Sequence, residues 1–595
     1  MKVIIRFSIF ICAILISMSL NLLALDNDIN LPFDINDQQA RMEYQQNVKV
    51  THWPDNIPGE PLSYEKWKSS VGPEKPFEAS SYIMDNANKR EDMIPFGIFV
   101  NAQLYPNIEA GFIQYISDLM NDGYDVKVHQ LSGGQPSDLR SLLISEYNQG
   151  MEGCILIGDL PVAWYETNCW DSAYTSFPID LYYMDMDGVW EDLDSDGMYD
   201  SHSGDRGPEI WVGRLTASTL TYTGETEAEL INNYFIKNHA YRTGQNFLPN
   251  RALVYIDDDW IPNANTWNNN VGLAYPDRTF VYDGATTIKT DYESRLTEGY
   301  ESILLCCHSW PQGHSFKIGD QWTGGSTYYF DIVDIKPPAH FYNLFACSNG
   351  RYTDAEYMVG WYTFYDANGI AAIGCTKTGS MLYFNYFYGP FGNGRTIGQA
   401  LMDWFTVVDG WGWSQDDLCW FYGMTLIGDP TLKHLELPPL TVESESLTVG
   451  QIKTAYCDTL EISGGLPPYS TSISDGALPE GLQLNQTIGE ISGTPIHSGL
   501  YQFAVTVEDN SQPKQTTSAP LNIQINYLCG DPNDDGMVNI LDVVYIIAYL
   551  YKGGTAPYNI ESADVNNNGI INILDITDII AYLYKSGEPL NCGGQ

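Results

Sequence analysis

A chain of 595 residues is too long for one hydrophobic core, because domains close at about 100 to 200 residues, so several are required. Its 75 acidic residues against 29 basic ones leave a formal charge of −46 spread along the chain. That balance excludes nucleic acid and anionic lipid as partners, since both need a basic footprint.

The first element, Met1 to Ala24, has the layout of a secretory signal. Lys2 and Arg6 flank an apolar stretch from Ile9 to Leu25, and Ala24 offers a small residue for cleavage. The mature protein is therefore expected outside the cell, where disulfides form. Of the 11 cysteines only Cys12 lies in this segment, yet the rest are too sparse to staple the fold, which must rest on apolar cores. No later apolar run reaches the roughly 18 to 20 residues that cross a bilayer, so no transmembrane segment is expected. Residues 25–94 read as an N-terminal extension or propeptide.

From Pro95 to about Leu215 strand and helix patterns alternate: "PFGIFVNAQLY", "IEAGFIQYISDLMNDGY", "DVKVHQL", "SDLRSLLISEYNQG" and "EGCILIGDL". Alternation of this kind means a parallel sheet with helices on its faces. A second such block runs from "NRALVYIDDDW" through "SILLCCHS", "FYNLFACS" and "GIAAIGCTKTG" to "MTLIGDPTL". Short apolar runs without polar alternation are what strands covered on both faces look like. The expectation is two adjoining α/β subdomains, 95–240 and 241–437, joined by a helix around Thr226 to Tyr241. Within the first lies "DLDSDG", where Asp192, Asp194 and Asp196 stand at the spacing of a calcium loop before Gly197, although its twelfth position is Ser203. A solvated surface loop is the alternative.

The second block carries the chemistry. A cysteine protease needs a thiolate, a base that forms it, and backbone amides facing the developing oxyanion. Open parallel sheets bring such groups together at the carboxyl ends of strands. "SILLCCHS" delivers His308 at one strand end and "FYNLFACSNG" delivers Cys347 at another, with Gly350 available to free the loop. His314, preceded by Gly313, is a second candidate base. Cys306, Cys307 and Cys375 read as small core residues. A third strand end, "YIDDDW", holds Asp257, Asp258 and Asp259.

After "LPPL" the composition turns to short Thr/Ser/Val strands between Gly and Pro, the pattern of an antiparallel sandwich over 438–527. The final segment, 528–595, contains a repeat: "DPNDDGMVNILDVVYIIAYLYKGG" returns 33 residues on as "DVNNNGIINILDITDIIAYLYKSG". Each copy opens with oxygen side chains at positions 1, 3, 5, 9 and 12 around a glycine at 6, the geometry that encloses calcium. The first copy supplies Asp531, Asn533, Asp535, Asn539 and Asp542; the second supplies Asp564, Asn566, Asn568, Asn572 and Asp575. Cys529 and Cys592 bracket this tail and could clasp its ends.

Three resemblances attach to these stretches. "FACSNG" with its strand, together with "DGYDVKVHQL", "EGCILIGDLP", "PIDLYYMDMDG", "PEIWVGRL" and "GMTLIGDPTL", resembles the gingipain family of caspase-like cysteine peptidases over about Ile94 to Leu437. The resemblance implies a secreted endopeptidase acting on protein or peptide substrates, with Cys347 as nucleophile and either His308 or His314 as base. Relatives directed to Arg or Lys hold an acid in the primary pocket, which would make Asp257, Asp258 or Asp259 the selecting group. "GGLPPY", "LPEGLQL" and "GEISGTP" are similar to an Ig-like module, and the tail looks like a type I dockerin, implying two calcium ions and a cohesin partner. Where many dockerins carry a Ser/Thr pair at positions 10 and 11, this chain has Ile540, Leu541, Ile573 and Leu574, which would serve a different cohesin or pack on the sandwich. The competing reading is a non-catalytic component of a cohesin–dockerin assembly. A carbohydrate hydrolase lacks a carboxylate pair on a recognisable scaffold.

Overall fold

The computed structural model describes residues 37–50, 59–83, 92–434, 438–511 and 514–593. The expected signal segment, 1–24, lies outside the described residues. The chain forms two compact units, residues 1–435 and 436–595.

The first unit is organised by one sheet of eleven strands: β1 (Glu78–Ile83), β2 (Ile94–Asn101), β3 (Tyr124–Ser132), β4 (Gly153–Ile157), β5 (Trp211–Leu215), β6 (Arg251–Ile256), β7 (Asp277–Val281), β8 (Ser302–Cys306), β9 (Phe341–Phe345), β10 (Ala371–Cys375) and β11 (Met424–Gly428). Their spatial order is β1-β3-β2-β4-β5-β11-β10-β9-β8-β6-β7. All neighbours are parallel except β1 with β3 and β10 with β11. The two α/β blocks anticipated from sequence are thus halves of a single continuous sheet. Every residue of β4, β8, β9 and β10 is buried, as unbroken apolar runs require when helices cover both faces. Leu304 and Cys306 enter one core while Ile303, Leu305 and Cys307 enter the other, the two-residue period of a strand.

Helix α1 (Glu227–Arg242) crosses between the halves, started by a capping box in which Thr226 and Glu229 satisfy each other's amides. At the seam, Arg214 of β5 stands opposite Ile427 of β11. The Arg214 guanidinium is buried and bonds Asp180 at 2.5 Å and 3.3 Å. Asp180 also accepts from Thr425 Oγ1 at 2.5 Å and from Tyr352 Oη at 3.1 Å. Residues from three other stretches of chain therefore converge on one buried carboxylate. A disulfide, Cys169–Cys419, with Cα atoms 5.5 Å apart, ties the hairpin Trp164–Pro178 to the segment before β11.

In the second unit, a four-stranded sheet (Gly450–Gln451, Thr516–Asn526, Gly499–Glu508, Ser470–Gly476) and a three-stranded one (Tyr456–Thr459, Glu490–Gly493, Leu482–Leu484) share a core of Ile491, Val505, Ile523 and Ile525. The tail contributes helices α2 (Ile540–Lys552) and α3 (Ile573–Tyr584), packed through Val543, Ile546, Ile576 and Ile579. Cys529 and Cys592 are joined, their Cα atoms 5.6 Å apart, within the reach of a disulfide. Sandwich and tail meet where His497 stacks on Tyr558 at 3.8 Å and the Ser498 amide donates to Asp534 at 3.3 Å.

Replacing Arg214 by Met leaves the Asp180 carboxylate buried without its cation, a loss of about 3–5 kcal/mol. Chemical denaturation monitored by Trp fluorescence is expected to show the midpoint falling accordingly, and an unchanged midpoint would mean that the seam does not depend on this pair.

Candidate active site

The parallel register of β8 and β9 pairs Cys306 with Phe345, and the Cys307 amide donates to the Phe345 carbonyl at 3.1 Å. The next residues of each chain, His308 and Cys347, consequently leave the carboxyl edge of the sheet as neighbours. Ile256 of β6 pairs with Cys306 on the other side, which brings Asp257 to Trp260 to the same edge. These strand ends and the loop after β10 surround a cleft whose lining includes Trp260, His308, Cys347, Gly379 and Trp420.

His308 is buried, flanked by Trp260 and Trp322 at 4.7 Å and 4.8 Å. Its Nε2 bonds Asp259 Oδ2 at 2.7 Å. Burial pushes the imidazole pKa down, and the Asp259 carboxylate opposes this. Asp259 also takes Lys317 Nζ at 3.0 Å and 2.9 Å on its two oxygens and Lys49 Nζ at 2.5 Å. Burial would raise the Asp259 carboxyl, but hydrogen bonds from His308, Lys49 and Lys317 hold it well below the usual carboxylate range. With Nε2 committed to a carboxylate, Nδ1 is the imidazole nitrogen left to exchange a proton with a thiol.

Two expectations from sequence change here. His314 belongs to a short hairpin, its Nδ1 3.0 Å from Ser309 Oγ and its ring between Tyr292 and Tyr362, fully buried and absent from the cleft lining. Burial depresses its pKa to about 3. The Asp257–Asp259 run does not line the cleft either. Asp257 is fully buried, accepts from the Lys317 amide at 3.0 Å and the Thr287 hydroxyl at 3.2 Å, and is pushed up to about 7 by burial. Asp258 points Oδ1 into the protein without a hydrogen-bond partner. Sequence proximity of three acids concealed three different environments, because the turn after β6 sends successive side chains in different directions.

Cys347 is half-buried, whereas Cys306, Cys307 and Cys375 are buried, as their apolar settings suggest. Burial raises the Cys347 thiol, opposed by the amides of Gly379 and Cys347 and by the charge of Lys377. Gly379 is irreplaceable for space: a Cβ there would lie 2.6 Å from the Trp420 carbonyl oxygen. The left-handed residue of the nucleophile loop is Ser348 (φ 55°) rather than Gly350. Lys377, buried beneath the cleft, donates to the carbonyls of Thr378 and Cys419 and is lowered to about 8 by burial. No spacing rule pointed to Lys377, Lys317 or the His308–Asp259 pair.

The N-terminal segment reaches the same place. Residues Gln38–Asn47 form a helix docked through Gln45 on Asp417 at 2.6 Å and Tyr44 on Trp267 at 3.0 Å. The segment then carries Lys49 and Val50 onto the cleft, with the Lys49 carbonyl accepting from Trp260 Nε1 at 3.2 Å.

In the tail, both repeated loops close on their first acid. Asp531 Oδ2 and Asp564 Oδ2 each accept the glycine amide of their loop at 2.7 Å. Asp542 Oδ1, Asp575 Oδ1 and Asn566 Oδ1 are buried without hydrogen-bond partners. Oxygen atoms left unpaired at matching positions fit a cation at each loop centre. Ile540, Leu541, Ile573 and Leu574 are exposed, so they do not pack on the sandwich. In the first unit, carboxylate oxygens of Asp192, Asp194 and Asp196 cluster, and Asp194 also meets Glu166 and Asp200.

The model of "Peptidase family C25" matches residues 110–435, that of "Putative Ig domain" residues 435–525 and that of "Dockerin type I domain" residues 529–584. Among solved structures, the Arg-specific cysteine proteinase gingipain R matches at 13% identity, covering 74% of this chain and 100% of that one, with a TM-score of 0.42. Mouse cadherin-23 EC22–24 matches at 14% identity over 18% of this chain and 35% of that one, with a TM-score of 0.15. No curated protein matches the chain.

Alkylation of Cys347 by iodoacetamide, followed across pH by mass spectrometry, is expected to have its midpoint above the ordinary thiol value of about 8.5. Lys377→Met removes the positive charge that favours the thiolate and is expected to move the midpoint higher still. A midpoint indifferent to that substitution would show that the ammonium does not act on the sulfur.

Proposed function

This chain belongs to peptidase family C25 and is a cysteine endopeptidase carrying a type I dockerin; from that premise we propose that Cys347 is the nucleophile, His308 its base and Asp259 the carboxylate that positions His308. The observation that carries this reading is the shared cleft in which Cys347 and His308 lie together while Nε2 of His308 is held by Asp259 at 2.7 Å.

The steps follow from the groups present. His308 Nδ1 takes the thiol proton, Cys347 sulfur attacks the peptide carbonyl, and the protonated imidazole delivers that proton to the departing amine. The amides of Cys347 and Gly379, the donors beside the sulfur, face the oxyanion as it forms. Water then cleaves the thioester with His308 again acting as base. Asp259 fixes the tautomer and steadies the imidazolium, and Lys317 keeps that carboxylate ionised. The N-terminal extension acts as a prosegment: Lys49 and Val50 lie on the cleft, and Lys49 holds the carboxylate that His308 needs.

Type I dockerin domains bind calcium, and a dockerin implies a cohesin partner. Asp531, Asn533, Asp535, Asn539 and Asp542 hold one ion, and Asp564, Asn566, Asn568, Asn572 and Asp575 the other. These ligands would hold calcium at the start of α2 and of α3, where Asn539 and Asn572 cap the helices. A third calcium would be held by Asp192, Asp194 and Asp196, whose carboxylate oxygens cluster. A protein with this signal-like start and tail is secreted and tethered to an extracellular assembly. The exposed Ile540–Leu541 and Ile573–Leu574 pairs call for a cohesin with an apolar recognition face. Nothing observed favours a non-catalytic scaffold.

Activity on a casein substrate is expected to vanish in Cys347→Ala and to fall by about 10²–10⁴-fold in kcat for Asp259→Asn; full activity in either variant refutes the assignment. In a separate measurement, cohesin capture by titration calorimetry should disappear on calcium chelation and in the Leu541→Asp/Leu574→Asp double variant. Binding that persists in the double variant would place the recognition face elsewhere.

A further inference from the structure

The wall of the cleft on the Cys347 side is apolar. Phe345 and Trp420 stack with ring centroids 6.1 Å apart, Ala346 and Trp260 continue the surface, and Thr378 and Ser380 complete the rim. Among the described residues, no carboxylate lines this space. A pocket that selects a basic side chain must offer a fixed counter-charge, because an ammonium or guanidinium buried there without one gives up its solvation uncompensated.

Two acids of the adjoining strand end are already committed. Asp257 is fully buried on the Lys317 amide, and Asp259 is neutralised by Lys317 on both oxygens while holding His308. The chain's own segment divides accordingly. Lys49, the basic residue on the cleft, sends its ammonium to Asp259, whereas Val50 packs against the core cluster that contains Trp260, Phe345 and Trp420. An apolar side chain is therefore what this surface accepts when both kinds are offered by adjacent residues.

Building on the assignment of Cys347 and His308, we propose that this cleft receives an apolar side chain, of valine to phenylalanine size, from the residue whose carbonyl Cys347 attacks, so that the enzyme cleaves after apolar residues and not after Arg, Lys or Asp. The acyl side is assigned to the Phe345–Trp420 wall because the leaving amine must face His308 to be protonated. Discrimination comes from burial of apolar area on the favoured side and from the missing counter-charge on the other.

The test is a peptide series differing only at the residue before the scissile bond (Val, Leu, Phe, Arg, Lys, Asp), with cleavage positions mapped by mass spectrometry. It uses the full chain and its Lys49→Ala/Val50→Gly variant, which frees the cleft, each with a Cys347→Ala control. The expected result is kcat/KM at least tenfold higher after Val, Leu or Phe than after Arg, Lys or Asp. Thr378→Asp, which places a carboxylate on the rim, is expected to raise the Lys-to-Leu ratio at least tenfold. Cys347-dependent cleavage after Arg or Lys that equals or exceeds cleavage after Leu overturns the apolar pocket and leaves the peptidase assignment standing. Failure of both enzyme forms to cleave any peptide in a Cys347-dependent way overturns the two together.

Discussion

The register between β8 and β9 is the constraint on which the site depends. Once Cys306 is opposite Phe345, His308 and Cys347 must leave the sheet side by side. A slip of one residue would turn Ile303 and Leu305 from one core to the other and exchange the faces of every side chain in the strand. Because both faces of β8 and β9 are fully buried, such a slip would misplace large apolar residues in two cores at once. The placement of His308 beside Cys347 is thus secured by packing that lies beneath it.

Asp259 is the second organising element. A carboxylate so nearly removed from water is stable only if paired and hydrogen-bonded, and here His308, Lys317 and Lys49 share that duty. Lys317 bonds both oxygens of Asp259 independently of Lys49. Burial raises the Cys347 thiol, and the charge of Lys377 opposes that rise. Lys377 reaches that position through carbonyls of the loop after β10 and of Cys419, whose disulfide to Cys169 anchors the region.

The second unit follows a different logic. Its sandwich is held by apolar packing alone, whereas the tail surrounds clustered acids with too little core to be stable on that basis. A disulfide between the ends makes up part of the difference. The contact of Ser498 with Asp534, a residue of the first loop, couples the sandwich to that loop.

Much was legible from the chain alone. Unbroken apolar runs announced doubly covered strands, a 33-residue repeat with oxygen donors at matching positions announced the paired loops of the tail, and a histidine and a cysteine at strand ends announced two residues that line one cleft. These signals are local: they depend on periodicity and on ligand spacing within a few residues. The choice of His308 over His314 as the residue on the cleft, the commitment of Asp259 to an imidazole instead of a pocket, the approach of Lys49, Lys317 and Lys377, and the aromatic wall were decided by tertiary structure. Each joins residues from different strands or from segments up to hundreds of positions apart, and only the sheet order and the packing of its two faces bring such groups within hydrogen-bonding or van der Waals reach.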